Sequence, residues 1–256
     1  MAAVNVLIVR APGTNCELET AFAWQLVGAR TRIVHIQALL ENPEMLNEVQ
    51  VLNVAGGFCY GDDISAGRIM ATELMLGLSD ALKSFVDAGR LVLGICNGFQ
   101  VLVKTGLLPD GNSTATGVTL AFNASGRYED RWVHIKACSN RCRFAPADEI
   151  LYVPVAHAEG RIVMDDPSAL DALRRGGHIA FQYVDERGQS GDFPINPNGS
   201  MGAIAGLTDR TGQVLGLMPH PERHVHFTHH PCWTRLSRDR TPDGLKLFRA
   251  AMAGLR

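Results

Sequence analysis

The stretch Leu91 to Leu102 constrains what this chain can fold into more than any other. It reads Leu-Val-Leu-Gly-Ile-Cys-Asn-Gly-Phe-Gln-Val-Leu. Leu91 to Ile95 is an apolar run of strand length, and Phe99, Val101 and Leu102 begin a helical pattern. Between the two, Gly94-x-Cys96-x-Gly98 has the spacing of a nucleophile elbow with Cys in the place of Ser. A strand that turns this sharply into a helix has no room for a Cβ two residues either side of the nucleophile. The turn also sets the thiol at a helix N-terminus, where unpaired N–H groups and the helix dipole favour a thiolate. A buried structural cysteine between packing glycines is the competing reading. The strand–turn–helix setting favours the catalytic one.

The segments ahead of the elbow fix its context. Val4 to Val9 reads as a buried strand, and Asn15 can cap a helix carrying Leu18, Phe22 and Leu26 on one face, closed by Gly28. Arg32 to Ile36 is a second strand, Pro43 opens a short helix, and Val49 to Ala55 is a third strand. The third strand ends in Gly56-Gly57-Phe58-Cys59, a glycine pair whose amides can turn outward as half of an oxyanion hole. A long helix follows, with Met70, Leu74, Leu78, Leu82 and Phe85 as its buried stripe. Strand and helix alternate through this half, which predicts a parallel sheet covered by helices on both faces. Ligands bind such sheets beyond the carboxyl ends of the strands. Gly56-Gly57 and Cys96 both fall there.

Past Gly106 the segments shorten and become strand-rich: Val118 to Phe122, Trp132 to Ala137, Leu151 to Val155, His178 to Val184, Ala203 to Leu207 and Val214 to Met218. They predict antiparallel and crossing strands added to the sheet. Residues 224–240 read as a polar, His- and Arg-rich surface loop, and a last amphipathic helix runs from Pro242 through Leu245, Phe248 and Met252. No repeat or linker divides the chain, so residues 1–256 are expected to form one domain. A net charge of −2 with no block of like charge gives no reason to expect nucleic acid or an anionic membrane as partner. Six scattered cysteines fit reduced thiols in a cytoplasmic protein, and the N-terminus has no signal-peptide pattern.

A catalytic Cys needs an imidazole to take its proton and a third group to hold that imidazole. Two His-x-Glu units are available, His157-Ala-Glu159 and His220-Pro-Glu222. His220 follows Val214-Leu-Gly-Leu-Met218, which is apolar enough for a central strand, and Pro219 and Pro221 stiffen the backbone around it. His157 follows a weaker run. The pattern favours His220 and Glu222 while leaving the other unit open.

Gly94-Ile-Cys96-Asn-Gly-Phe-Gln100 with Met218-Pro-His220-Pro-Glu222-Arg223 resembles the class I, triad-type glutamine amidotransferases. Arg10 to Glu17, Gly56 to Asp62, Asn123 to Tyr128, Arg131 to Val133, Pro154 to Arg161 and Asn196 to Ser200 are more narrowly similar to the PurQ family, the glutaminase subunits of phosphoribosylformylglycinamidine synthase. The resemblance implies a flavodoxin-like α/β fold of the class I type, a central mostly parallel sheet flanked by helices with an additional antiparallel portion. It implies Cys96 attacking L-glutamine, His220 moving the proton and Glu222 orienting it. A thioester would form, with the backbone of Gly57 or Phe58 and of Asn97 holding the oxyanion and Gln100 helping to seat the substrate. It also implies ammonia delivery to a large PurL-type synthase subunit, joined in some lineages by a small PurS-type subunit. ATP and Mg belong to that partner, and no cofactor is expected in this chain.

The chain has Cys59 where the family usually has Ser. His224, His226, His229, His230 and Cys232, and separately His134, Cys138 and Cys142, match no established zinc pattern and read as loop and core, so no metal is expected. The rival readings are an amidotransferase subunit of another synthase, a DJ-1/PfpI-like cysteine hydrolase and a non-catalytic α/β binding module. Asn97 stands against the hydrolase, which commonly carries His directly after the nucleophile.

Overall fold

The computed structural model describes residues 3–110, 117–147 and 149–255. The first half alternates as the pattern predicts: β1 (Asn5–Arg10), α1 (Glu17–Leu26), β2 (Arg30–His35), a short α2 (Ile36–Glu41), β3 (Val51–Val54), α3 (Arg68–Asp87), β4 (Leu91–Ile95) and α4 (Asn97–Lys104). The second half supplies β5 (Val118–Ala121), β6 (Glu129–Ala137), β7 (Ile150–His157), β8 (Arg161–Met164), α5 (Ser168–Arg175), β9 (Ile179–Val184), β10 (Ile204–Thr208), β11 (Val214–Leu217) and α6 (Asp243–Ala253). One nine-stranded sheet runs β2-β1-β3-β4-β11-β10-β9-β6-β7, and β5 pairs with β8 in a small sheet of its own. Pairing is parallel from β2 through β11 and antiparallel from β11 to β7. Among the described residues no helix is long and apolar enough to cross a membrane.

Burial explains the order. Every residue of β3, β4, β10 and β11 is buried, as apolar strands covered on both faces must be. The edge strand β2 carries Arg30, Thr31 and Arg32 and is partly exposed. Successive strand residues point to opposite faces. Asn53 of β3 accepts a hydrogen bond from the Trp24 indole of α1 at 2.9 Å, whereas Val54 meets Gly98 of α4, so the helices cover both sides. Trp24 also packs edge-on against Phe248 of α6 at 5.1 Å.

α1 corrects the sequence expectation. Its buried residues are Thr20, Ala21, Ala23 and Trp24, while Leu18, Phe22 and Leu26 are 73%, 47% and 45% exposed. Small side chains bring the helix close to the sheet and Trp24 reaches Asn53, so the stripe at i, i+4 and i+8 faces outward. Asn15 is not the cap either: Cys16 holds that position without a side-chain cap bond, and Asn15 Oδ1 accepts from the Cys16 thiol at 3.1 Å. The segment after 224 differs too. His224 and Val225 are buried, His224 Nδ1 donates to the Tyr152 carbonyl at 2.7 Å, and its ring stands edge-on to Trp132.

Candidate active site

Parallel pairing of β4 with β11 sets Ile95 beside Leu217, so whatever follows each strand emerges at the same sheet edge. Cys96 comes first, its N–H donating to Leu217 O at 2.7 Å. It has φ 51° and ψ −106°, a left-handed conformation that a non-glycine residue holds only where its surroundings enforce it. The enforcing contacts are close. A Cβ on Gly98 would stand 2.0 Å from Val54 O, and one on Gly94 would stand 2.6 Å from Gly98 O. The glycines therefore serve close packing around the turn, and Cys96, 6% exposed, sits at the start of α4.

His220 emerges beyond β11 with its N–H donating to Pro154 O at 2.8 Å. Its Nδ1 donates to Glu222 Oε1 at 2.6 Å, both side chains being buried. A 3-10 turn, Pro221–Arg223, folds Glu222 back under the ring, as the flanking prolines suggested. Burial alone disfavours the charged ring, but the Glu222 carboxylate and the neighbouring Cys96 and Cys16 sulfurs outweigh it and hold the His220 pKa well above its ordinary value. Neither sulfur makes a complete hydrogen bond to Nε2, which has no partner among the described residues. Nε2 is thus free to accept a proton.

The rival His157 is held differently. Its Nδ1 donates to Asn123 Oδ1 at 3.0 Å, not to Glu159, whose carboxylate reaches the Ala66 N–H at 3.4 Å. Burial, and secondarily the charge of His220, push the His157 pKa down to about 3, so it stays neutral. Of the two His-x-Glu units only His220-Pro-Glu222 forms an imidazole–carboxylate pair.

The oxyanion candidates divide. Gly57 has φ 144°, and a Cβ there would stand 2.7 Å from Asn15 N and 2.8 Å from Gly13 O. Its N–H donates to no backbone carbonyl among the described residues. The Phe58 N–H, by contrast, donates to Gly13 O at 2.9 Å, which removes Phe58 as a donor in this arrangement. Asn97 begins α4, where backbone N–H groups lack intrahelical partners. Its side chain accepts from Cys59 N at 3.1 Å and donates to Asp62 Oδ1 at 3.0 Å and Gln100 Oε1 at 2.9 Å. Gln100 completes the bracing by donating to the Glu159 carbonyl, so its amide ties the elbow helix to the 157–160 turn and is not left open toward a substrate. Cys59 is buried, and burial lifts its thiol to about 12.

One neighbour was missed from sequence. Cys16, 1% exposed, accepts a hydrogen bond from Arg223 Nη2 at 3.2 Å, and a Cβ on Gly56 would touch both its sulfur at 3.3 Å and His220 Cε1 at 3.1 Å. Burial keeps its thiol pKa raised, His220 partly opposing. The signal available was position: Cys16 follows β1 at the same carboxyl edge as Cys96.

Residues 3–253 match the family model described as the CobB/CobQ-like glutamine amidotransferase domain. The phosphoribosylformylglycinamidine synthase subunit PurQ of Dehalococcoides mccartyi is 42% identical over 254 residues, covering 98% of each chain. The PurQ subunit of Pyrococcus furiosus is 34% identical over 256 residues, covering 99% of each. Among solved structures, a chain of PurLQS from Thermotoga maritima superposes with a TM-score of 0.76 at 27% identity, covering 100% of each chain. A glutamine amidotransferase from the same organism gives 0.58 at 16% identity, covering 98% of this chain and 97% of that one, a likeness of fold.

Proposed function

This chain belongs to the CobB/CobQ-like glutamine amidotransferase family, in its PurQ branch, and from that premise we propose which of its residues carry the chemistry. Its function is that of the glutaminase subunit of phosphoribosylformylglycinamidine synthase in purine biosynthesis, and its partners are the PurL and PurS subunits. Residues 1–256 work as one amidotransferase domain, supported by the match over 3–253 and by the sheet running unbroken from β2 to β7. The chain acts in the cytoplasm and uses no cofactor of its own, with ATP and Mg serving the large subunit.

Cys96 is the nucleophile. His220 takes its proton through Nε2 while Glu222 holds Nδ1, and the thiolate attacks the side-chain amide carbon of L-glutamine. The oxyanion forms between the Gly57 and Asn97 N–H groups, which act where charge develops. His220 then returns the proton to the leaving nitrogen, ammonia departs and a glutamyl thioester remains. Water activated by His220 releases glutamate and restores the thiol. Ammonia passes to the synthase subunit, which converts formylglycinamide ribonucleotide to the amidine. Asn97 holds the elbow against the 57–62 segment and Gln100 ties it to the 157–160 turn, so Gln100 acts on the substrate through position.

The observation that carries this reading is the buried 2.6 Å His220–Glu222 pair at the sheet edge where Cys96 emerges. Replacing His220 with Ala should lower glutamine-dependent synthesis by the assembled enzyme by at least about 1,000-fold. Ammonia-dependent synthesis should stay near the wild-type level. Glu222→Ala should cost less than His220→Ala, and His157→Ala should leave the glutamine reaction nearly intact. Loss of the glutamine reaction in His157→Ala, with His220→Ala active, would assign the other unit.

A further inference from the structure

Helix α1 is apolar on two faces, and the fold of the chain covers only one of them. Thr20, Ala21, Ala23 and Trp24 are buried, with Trp24 reaching Asn53 of β3 and Phe248 of α6. Leu18, Phe22 and Leu26 are exposed on the other face at i, i+4 and i+8, a row about 12 Å long. A helix that is apolar all round is normally covered all round. The three side chains expose roughly 300 Å² together, in the range of the largest patch an ordinary single chain shows, and such patches are often functional. A single exposed residue such as Leu76 on α3 needs no such account. At its far end the row meets a groove of about 320 Å³ between α1 and α6, lined by Leu26, Val27, Met252 and Ala253 with the exposed Arg249 beside them. Its near end reaches the catalytic edge of the sheet. Leu18 is two positions from Cys16, and Glu19 Oε1 accepts from Arg223 Nε at 2.7 Å, directly after Glu222 in the chain. Phe58, whose N–H donates to Gly13 O at 2.9 Å, adds a further exposed ring at that end.

We infer that the Leu18–Phe22–Leu26 row of α1 is a seat for the large PurL-type synthase subunit. The inference rests on the function proposed above, in which ammonia passes to that subunit, and adds the surface through which the two meet. Two observations choose the occupant. The row is continuous with the edge where Cys96 and His220 emerge, so the subunit that takes ammonia from this edge is the one placed to cover it. The row also has the make-up of an interface core, an aromatic anchor between two leucines with charged groups only at its ends, Glu19 at one and Arg249 at the other. The fitting surface on the partner is therefore apolar, with a side chain that fills the Leu26–Met252 groove and a carboxylate that faces Arg249. Docking there grips α1 just beyond the 12–16 turn. That turn is tied to the Gly57 segment by the Thr14–Gly57 bridge and by the Phe58 N–H.

The test uses the full chain and the purified PurL and PurS subunits with glutamine and nucleotide ligands, and reads binding by titration calorimetry and sedimentation. A Cys96→Ala background keeps glutamine from being consumed and makes the readout independent of turnover. Leu18→Glu sets an acid in the first turn of α1, and Phe22→Arg and Leu26→Arg set bases in its second half. Those signs suit the helix dipole, so the urea midpoint should stay at the parent value. Each substitution should weaken binding of the large subunit about tenfold or more, as loss of a central apolar anchor does. Leu76→Arg should bind as the parent chain does. With Cys96 restored, the row variants should leave glutamine hydrolysis by the free chain unchanged. They should lower glutamine-dependent synthesis when the subunits are dilute and recover it when the large subunit is in excess. Undiminished binding of the large subunit would overturn the inference. So would a loss confined to PurS, or self-association of the free chain through the same three residues. If the glutaminase assignment failed instead, Cys96→Ala would keep glutamine-dependent synthesis while the row variants still lost binding, so the two failures can be told apart.

Discussion

At Gly98 a methyl group would stand 2.0 Å from the Val54 carbonyl oxygen and 2.8 Å from its carbon, so the elbow has no tolerance at this position. The neighbour is backbone in the middle of the sheet and cannot rotate away. Gly98→Ala should destabilise the chain by about 1–3 kcal/mol in urea unfolding, the usual range for overpacking. It should also lower glutamine turnover more than stability, because α4 must shift relative to Cys96. His157 makes a second residue-scale prediction. Its folded pKa is about 3 against an ordinary value of 6.5, so between those values the unfolded chain binds the extra proton. Stability from this residue is therefore complete well above pH 6.5, declines as pH falls through it and levels off near pH 3. Between pH 7 and pH 5 the loss should be about 2 kcal/mol, and a His157→Gln chain should lack that part of the slope in paired urea titrations. An unchanged slope would mean that His157 is protonated in the folded state.

Among the elements, α3 and α1 show where sequence patterning works and where it fails. In α3 the stripe Met70, Leu74, Leu78, Leu82 and Phe85 is buried as its helical spacing indicates. In α1 the same spacing rule selects Leu18, Phe22 and Leu26, which face solvent, because Ala21, Ala23 and the Trp24–Asn53 hydrogen bond decide how the helix lies. Periodicity names an apolar face but not which face the sheet accepts when a helix has two. Leu18→Ser and Phe22→Ser should each change stability by no more than about 0.5 kcal/mol, whereas Trp24→Ala should cost about 3–5 kcal/mol. A larger loss at Phe22 than at Trp24 in thermal or urea unfolding would reverse this assignment of faces. The segment after β11 gives a similar lesson. His220 and Glu222 were legible because proline, histidine and glutamate lie within one turn, but the burial of His224 depends on Trp132 and Tyr152 from β6 and β7, which no local pattern announces.

Taken whole, the molecule was legible where chemistry is local and illegible where it joins distant segments. The parallel half, the elbow and the His220–Glu222 pair follow from runs of a few residues. The contact of Cys16 with Arg223 spans 207 positions, and the bracing of Gln100 by Glu159 spans 59. The proposed oxyanion segment belongs to the second kind, and this changes how its regulation would work. Glycine accepts either sign of φ, so from sequence Gly56-Gly57 looks free to turn its amides. In the structure Gly57 is wedged against Gly13, Thr14 and Asn15, Phe58 N donates to Gly13 O at 2.9 Å, and Tyr60 N donates to Pro12 O at 2.6 Å. The 57–60 stretch can turn only together with the 12–16 turn that leads into α1. Strain is stored nearby, since Tyr60, Asp62 and Ile64 have φ of 55°, 56° and 69°, and conformations of that kind cost on the order of 1–3 kcal/mol each. A second arrangement of the two turns is therefore within reach of a docking partner. A glutaminase that runs freely would release ammonia to solvent, so the productive arrangement should be favoured only in the assembled enzyme. Activation of about 10- to 1,000-fold needs a differential partner affinity of only about 1.4–4 kcal/mol. Glutamine hydrolysis by the free chain should be slow and should rise by that factor when the PurL and PurS subunits are added with their nucleotide ligands. Gly13→Ala, whose Cβ would stand 2.1 Å from Phe58 O, should separate the two turns and lower the activated rate more than the basal one. Equal rates for the free and assembled wild-type chain would exclude this coupling while leaving Cys96, His220 and Glu222 in their roles.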